Sequence, residues 1–510
     1  MSFANDQHRI RNIVIVGGGT AGWMAAAALS KFQSNGMTRI TLVESDEIGI
    51  VGVGEATIPP ILNFNSMLEI DENEFLRATK GTFKLGIEFA NWGRIGERYF
   101  HPFGNFGRDV HGVHFHQLFL SQRQLGDRSD IAKYSMSAMA AARGTFGRPS
   151  EAAKSAVSEL FYAFHFDASL YARFLRKFAT DNGVQRVEGK ITHVNQRSSD
   201  GFVASVATED GQILEGDLFI DCSGFRGLLI EETLKTGYED WTHWLKCDRA
   251  IAVPTANPAQ LRPYTRSTAH GAGWQWNIPL QHRTGNGIVY SSEFLDDAAA
   301  EAQLLANLET EPLATPRQIR FVTGRRKNTW SHNVVSLGLA SGFLEPLEST
   351  SIHLVQAGIS RLLAVFPDRR FDPAEREWFN RSMQDIFEDV RDFIILHYHA
   401  TQRDDSAFWN YCRTMEIPAS LAEKLALFRG KGRSFRDNAE LFGLPSWVAV
   451  MLGQNQWPQG YDPIVDSFDN KRIAEMMQQL RNGYEQVAGA LPEHRAFLKM
   501  CGAWNEEPAT

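Results

Sequence analysis

The sequence predicts an α/β fold: a Rossmann-like unit at the start, a β-sheet region in the middle and a mainly helical C-terminal subdomain. Three observations carry this. The β-branched run Ile13-Val14-Ile15-Val16 leads into Gly17-x-Gly19-x-x-Gly22 and an alanine-rich stretch to Phe32, which reads as strand, tight turn and helix. Short apolar runs with turn signals recur from Val187 to about Trp330, as strands do. Beyond Pro367 the apolar residues fall at helical spacing. These shifts divide the chain into a module at 1–367 and a helical subdomain at 368–510.

Composition narrows the class of partner. The 510 residues are 43% hydrophobic, enough for a large core. A net charge of −8 and a pI near 6.0 leave no basic excess for nucleic acid or an anionic membrane. Cys222, Cys247, Cys412 and Cys501 are far apart with no Cys-x-x-Cys spacing, which speaks against a disulfide framework or structural zinc and suits a reducing cytoplasm. The polar Met1–Arg11 segment and the lack of a membrane-length apolar run complete the expectation of a soluble, cytoplasmic protein, a monomer or homodimer.

The first unit carries the candidate nucleotide site. Gly17, Gly19 and Gly22 allow a sharp turn and close approach of a pyrophosphate to the helix N-terminus, where Thr20 and Ala21 lie. About 20 residues on, as this motif expects, the strand Ile40–Val43 ends in Glu44, suited to a ribose hydroxyl. A glycine-dense loop, Ile48 to Pro60, follows, and Ala56 within it is a further candidate contact. Val187, the Asp217–Gly224 strand and turn, and Gly338 after Val334–Leu337 are others.

Between these, Asp71 to Trp92 is mostly helical in composition and contains Lys84, and Asn91 to Gly107 reads as a packed irregular segment rich in aromatics and glycine. Asp167 to Ala179 predicts a helix, and Asp210-Gly211 a hairpin turn. A helix is expected from about Ser351 to Phe366. Asp372-Pro373-Ala374-Glu375 then opens another, along which Met383, Ile386, Phe387, Val390, Phe393, Ile394 and His397 repeat at helical spacing. Arg429 to Asp437 is a basic break within the helical third.

Only one Gly-x-Gly-x-x-Gly is present, and enzymes that bind both FAD and a nicotinamide often have two. A single N-terminal copy with later glycine-ended strands favours an FAD-binding module of the flavin monooxygenase type, while the motif alone also permits NAD. In Gly273-Trp274-Gln275-Trp276-Asn277-Ile278-Pro279, the two indoles at alternate strand positions face the same way and can form one aromatic wall or simply a core layer.

Together, Gly17–Met24, Gly52–Pro59, Thr82-Phe-Lys84-Leu-Gly86, Gly273–Pro279 and Pro346-Leu-Glu348-Ser-Thr350 resemble the flavin-dependent halogenases of the tryptophan halogenase family, over about Asn12 to at least Trp409. The resemblance implies that reduced FAD and oxygen turn chloride or bromide into hypohalous acid, which halogenates an electron-rich, indole-like ring. It places Lys84 as the essential lysine, Glu348 as the catalytic glutamate and Trp274 and Trp276 as a barrier between flavin and organic substrate. It also puts Thr350 and Ser351 at the halide and His101 and Phe103 against the substrate ring. A separate NAD(P)H-dependent flavin reductase is implied as the partner that supplies reduced FAD.

Two departures stand out. Many relatives have glycine where this chain has Ser351, and the tyrosine-containing clamp for free tryptophan is replaced by Ser446–Gln454, largely apolar. A small indole-like or other electron-rich aromatic substrate is therefore better supported than free tryptophan, and it has room to be the larger of the two. His111-x-x-His114-x-His116 lacks a completing ligand, so no metal is expected, and Arg325-Arg326-Lys327 reads as a solvated face. Two alternatives stay open: a single-component aromatic hydroxylase, which delivers activated oxygen directly to substrate, and a catalytically silent flavin-binding protein.

Overall fold

The computed structural model describes residues 6–32, 36–47, 54–149, 156–436 and 440–504. The Asn12–Val16 strand lies inside a six-stranded sheet, paired in parallel with Leu218–Asp221 on one side and Arg39–Glu44 on the other. Val334–Ser336 and Gln185–Glu188 extend the sheet in parallel, and Trp330–Ser331 ends one edge antiparallel. The period-2 geometry of a strand explains the β-branched run. Ile13 and Ile15 join the main core with the helix Thr20–Phe32, while Val14 and Val16 join a second cluster with Val43, Phe219 and Val334.

A seven-stranded sheet forms the second layer. In spatial order it runs Arg317–Arg320, Arg249–Thr255, Thr284–Tyr290, Gly273–Pro279, Thr265–His270, Gly86–Ala90 and Arg98–Pro102. All neighbours are antiparallel except Thr265–His270 with Gly86–Ala90. A small antiparallel sheet, with Ala163–Asp167 between Gly54–Ala56 and Thr82–Lys84, brings the glycine-dense loop beside Lys84.

The Asp71–Trp92 stretch departs from its helical composition. Only Glu72–Ala78 is helical, capped by the Asp71 carboxylate, which accepts from Glu74 N–H. Past Gly81 the chain enters two strands, because pairing with Ala163–Asp167 and Thr265–His270 outweighs local propensity. Likewise, Arg98–Pro102 is a strand inside the stretch expected to be irregular, and Asp297–Ala306 is a helix amid the expected strands. The 48–53 part of the glycine-dense loop lies outside the described residues.

The C-terminal third is helical, as expected. Its longest helix, Pro373–His399, starts at an Asp372 cap that accepts from Ala374 N–H at 2.8 Å. Ala419–Lys431 runs three residues into the predicted break and stops at Gly432, whose φ of +64° is the left-handed turn that ends a helix. One core cluster includes residues from Ile10 to Ala503, so this third packs into the same core as the sheets. Among the described residues no helix is long and apolar enough to cross a membrane.

Candidate active site

A cavity of about 1040 Å³ opens where the first strand ends. Gly17, Gly19, Thr20, Ala21, Glu44, Ala56 and Gly338 all line it, as do Cys222 to Arg226. Three glycines of the first turn have different jobs. Gly17 has φ +107°, and a Cβ there would lie 2.3 Å from Cys222 O; at Gly22 a Cβ would lie 1.9 Å from Gly17 O, so both keep the turn closed. A Cβ on Gly19 meets nothing within 4 Å, because this position faces the cavity. The cavity beside the first helical turn, the glutamate after the second strand and the flanking Arg173 and Arg176 fit a dinucleotide with its pyrophosphate at the helix N-terminus. Glu44 is held there by Arg186 Nε at 2.5 Å and by Trp23 Nε1 at 3.3 Å. Val187 is partly buried against the second core cluster, and Gly189–Ile191 line the cavity beside it.

The other end of the cavity meets the predicted catalytic residues. Trp276, Ile278, Pro346, Ser349 and Ser351 line it, whereas Lys84 and Trp274 do not. Lys84 is fully buried behind Ser349, its Nζ donating to Ser349 Oγ at 2.8 Å and to Thr57 O at 2.9 Å, and 5.1 Å from the centre of the Phe103 ring. Burial brings its pKa down from 10.5 to about 7, although the Glu348 charge opposes this. Two N–H groups are thus committed, and the third valence of the amine remains.

Pro346–Glu348 form one short helical turn, and Ser349 ends it at φ +60°, an uncommon conformation for serine that aims its hydroxyl at Lys84. Glu348 is buried between two imidazoles. His101 Nδ1 is 3.0 Å from both carboxylate oxygens, and His397 Nε2 is 2.7 Å from Oε1. The His397 contact is an ion-pair distance with a ring N–H direction outside hydrogen-bond geometry. Burial pushes the Glu348 carboxyl up, but the His101 and His397 contacts outweigh it and hold the group at about 2. Phe393 and Phe442 stand around His101, stacked on each other with ring centres 3.9 Å apart, and Trp447 packs edge-on against Phe393.

Thr350 precedes the helix Ser351–Ala364 and Ser351 is its first residue. The Thr350 Oγ1 is buried with no hydrogen-bond partner, beside the free N–H groups of a helix start, which is the donor set a halide needs. Trp274 and Trp276 lie on one face, ring centres 6.1 Å apart, as their alternate positions require.

Ser349, His397 and Glu345 were not picked out from sequence. His397 carried a signal, a polar residue on the apolar stripe of its helix; Ser349 and Glu345 carried none beyond their place beside Glu348. The basic run is also corrected: Arg325 and Arg326 are buried and paired with Glu239, Glu388 and Glu231, because strand Gly324–Arg326 lies inside a small sheet. His114 pairs with Asp109, and His116 Nε2 with Gly432 O; among the described residues no three His, Cys, Asp or Glu gather as metal ligands.

Fold and site together define a flavin-dependent halogenase: a dinucleotide cavity, a paired-tryptophan strand and a buried lysine and glutamate beyond it. The tryptophan halogenase family profile matches residues 12–470. Xcc4156, a flavin-dependent halogenase from Xanthomonas campestris, superposes with a TM-score of 0.94 at 46% identity, covering 98% of this chain and all of the other. BrvH, a flavin-dependent halogenase from Brevundimonas sp. BAL3, gives 0.93 at 46% identity, over 96% of this chain and 99% of the other. Tryptophan 7-halogenase RebH of Lentzea aerocolonigenes is 38% identical over 96% of each chain. The chain belongs to the tryptophan halogenase family.

Proposed function

We propose that the chain halogenates an electron-rich aromatic ring, indole-like and larger than free tryptophan, with reduced FAD delivered by a separate NAD(P)H-dependent reductase. The observation that carries this reading is Lys84, buried, neutralisable near pH 7 and bonded to a serine that lines the flavin-sized cavity. When bound, reduced FAD with oxygen supplies the two-electron oxidation of chloride or bromide to hypohalous acid.

Thr350 and Ser351 hold the halide at the helix start. Trp276, in the cavity wall, and Trp274 behind it keep an organic ring from the flavin end, so that halide is what becomes oxidised. Lys84, as the ammonium, donates its remaining N–H to the oxidised halogen and polarises it toward the ring. Glu348 is held ionised between His101 and His397; it stabilises the cationic ring left by halogen addition and accepts the departing proton.

The substrate reading rests on the helix Leu444–Gly453. Trp447 to Leu452 are buried, and Gln454 is buried too, its Nε2 donating to Tyr99 OH and His397 O, so this segment offers an apolar cover where an amino-acid clamp would need exposed polar groups. The free thiols suit the cytoplasm. The testing experiment is mass spectrometry of products from an aromatic panel given reductase, FAD, oxygen and each halide in turn. Halogenated product supports the proposal; a hydroxylated product formed equally well without halide would overturn it in favour of a hydroxylase, and inactivity across the panel would favour a silent flavin-binding protein.

A further inference from the structure

Glu345 is fully buried and three residues before Glu348. Its Oε2 accepts two hydrogen bonds, from Trp274 Nε1 at 2.9 Å and from Tyr398 OH at 2.5 Å, while Oε1 is buried with no partner. Tyr398 follows His397 on the same helix, and His397 contacts Glu348. Adjacent residues of one helix therefore grip two carboxylates of one turn, and the first of these carboxylates also grips the tryptophan strand. Cys247 Sγ, 3.6 Å from Tyr398 OH, fills the space behind. The catalytic roles proposed above use none of these groups except Trp274, Glu348 and His397. An unpaired carboxylate oxygen in a dry core costs stability, so its presence where an apolar residue would pack calls for a reason.

We propose that Glu345 is a positioning residue: by tying Trp274 to Tyr398 it sets the tryptophan wall against the turn that carries Glu348, Ser349 and Thr350, and so confines oxidised halogen to the path past Lys84. The two bonds fix the indole in one orientation, and the short backbone link from Glu345 to Ser349 transmits that orientation to the partner of Lys84. Without them Trp274 is free to rotate within its pocket, and a small oxidant finds a second way out.

The inference rests on the halogenase reading, and its test separates the two. Wild type, Glu345→Gln, Glu345→Leu and Tyr398→Phe are assayed with reductase, FAD and bromide in the presence of both aromatic substrate and a soluble 1,3-diketone that traps free hypobromous acid. The ratio of trapped to substrate-bound halogen is the readout. Alongside it, FAD binding is followed by flavin fluorescence, and the indole N–H band by ultraviolet resonance Raman difference against Trp274→Phe. Gln retains a carbonyl oxygen that accepts both bonds, so Glu345→Gln is expected to keep the wild-type ratio and N–H band. Glu345→Leu is expected to raise the ratio about fivefold and shift the band toward a free N–H, with Tyr398→Phe between them and FAD affinity unchanged in all. A wild-type ratio in Glu345→Leu that folds and binds FAD overturns the proposal, as does a loss in Glu345→Gln equal to that in Glu345→Leu. If wild type itself yields neither product nor trapped halogen, the halogenase reading falls and the confinement role with it.

Discussion

Lys84 Nζ donates to Ser349 Oγ at 2.8 Å across 265 positions of sequence, joining a strand of the small sheet to a strained turn on the cavity wall. A second bond, from the same Nζ to Thr57 O at 2.9 Å, ties the lysine to the residue after Ala56, which also lines the cavity. Lys84→Met, close in volume, is expected to keep FAD binding and lower halogenation by about three orders of magnitude, measured as product per reduced FAD. Normal turnover would refute the role.

The same lysine fixes a pH dependence. Its folded value is about 7 against 10.5 ordinarily, because burial disfavours the cation. If the ammonium is the active form, halogenation of wild type falls above about pH 7, and a rate that rises there instead would assign the lone pair of the neutral amine. The stability sign follows from the same shift. Between about 7 and 10.5 the unfolded chain holds a proton that the folded chain lacks, so this group contributes stability that grows with pH across that window. Lys84→Met should flatten that part of the unfolding profile.

Glu348→Gln keeps the shape but removes the charge between His101 and His397. Turnover should fall about a hundredfold or more, with substrate binding less affected, because the group acts on the proton and the cationic intermediate. Its folded value of about 2 lies below the ordinary 4.5, so the stability it contributes is complete above 4.5 and lost as pH falls toward 2. Acid titration of unfolding should show this limb in wild type and a weaker one in the variant.

Gly19 and Gly17 separate cofactor binding from folding. Gly19→Ala adds a methyl group in open cavity space and should leave melting of the FAD-free protein unchanged while weakening FAD about tenfold by fluorescence titration. Gly17→Ala places the same group 2.3 Å from Cys222 O at φ +107° and should reduce the yield of folded protein.

Thr350→Val removes the unpartnered hydroxyl at the helix start while keeping the volume. The apparent KM for halide should rise about tenfold with FAD affinity intact, and Ser351→Gly should alter the chloride-to-bromide ratio of products in competition. An unchanged halide KM in Thr350→Val would move the halide elsewhere.

Much of this was legible from local pattern. The strand, turn and helix at Ile13–Phe32, the acidic Glu44 after the second strand, the paired indoles of Gly273–Pro279 and the Asp372 cap each depend on residues within one turn or one strand. Lys84 and Glu348 were found through short motifs, although Lys84 sits on a strand where composition suggested a helix. The Arg325-Arg326 pair was misplaced because which face of a strand is buried depends on what packs against it.

By itself, then, the sequence determined the class: period and glycine spacing specify backbone shape, and the short motifs specify the residue types the chemistry uses. Tertiary structure alone decided their state. Lys84 meets Ser349, Glu348 meets His101 and His397, and Trp274 meets Glu345 only after strands and helices far apart in the chain pack together. Burial, which moves the lysine toward neutrality and makes an unpaired carboxylate costly, is a property of that packing and is written in no single segment.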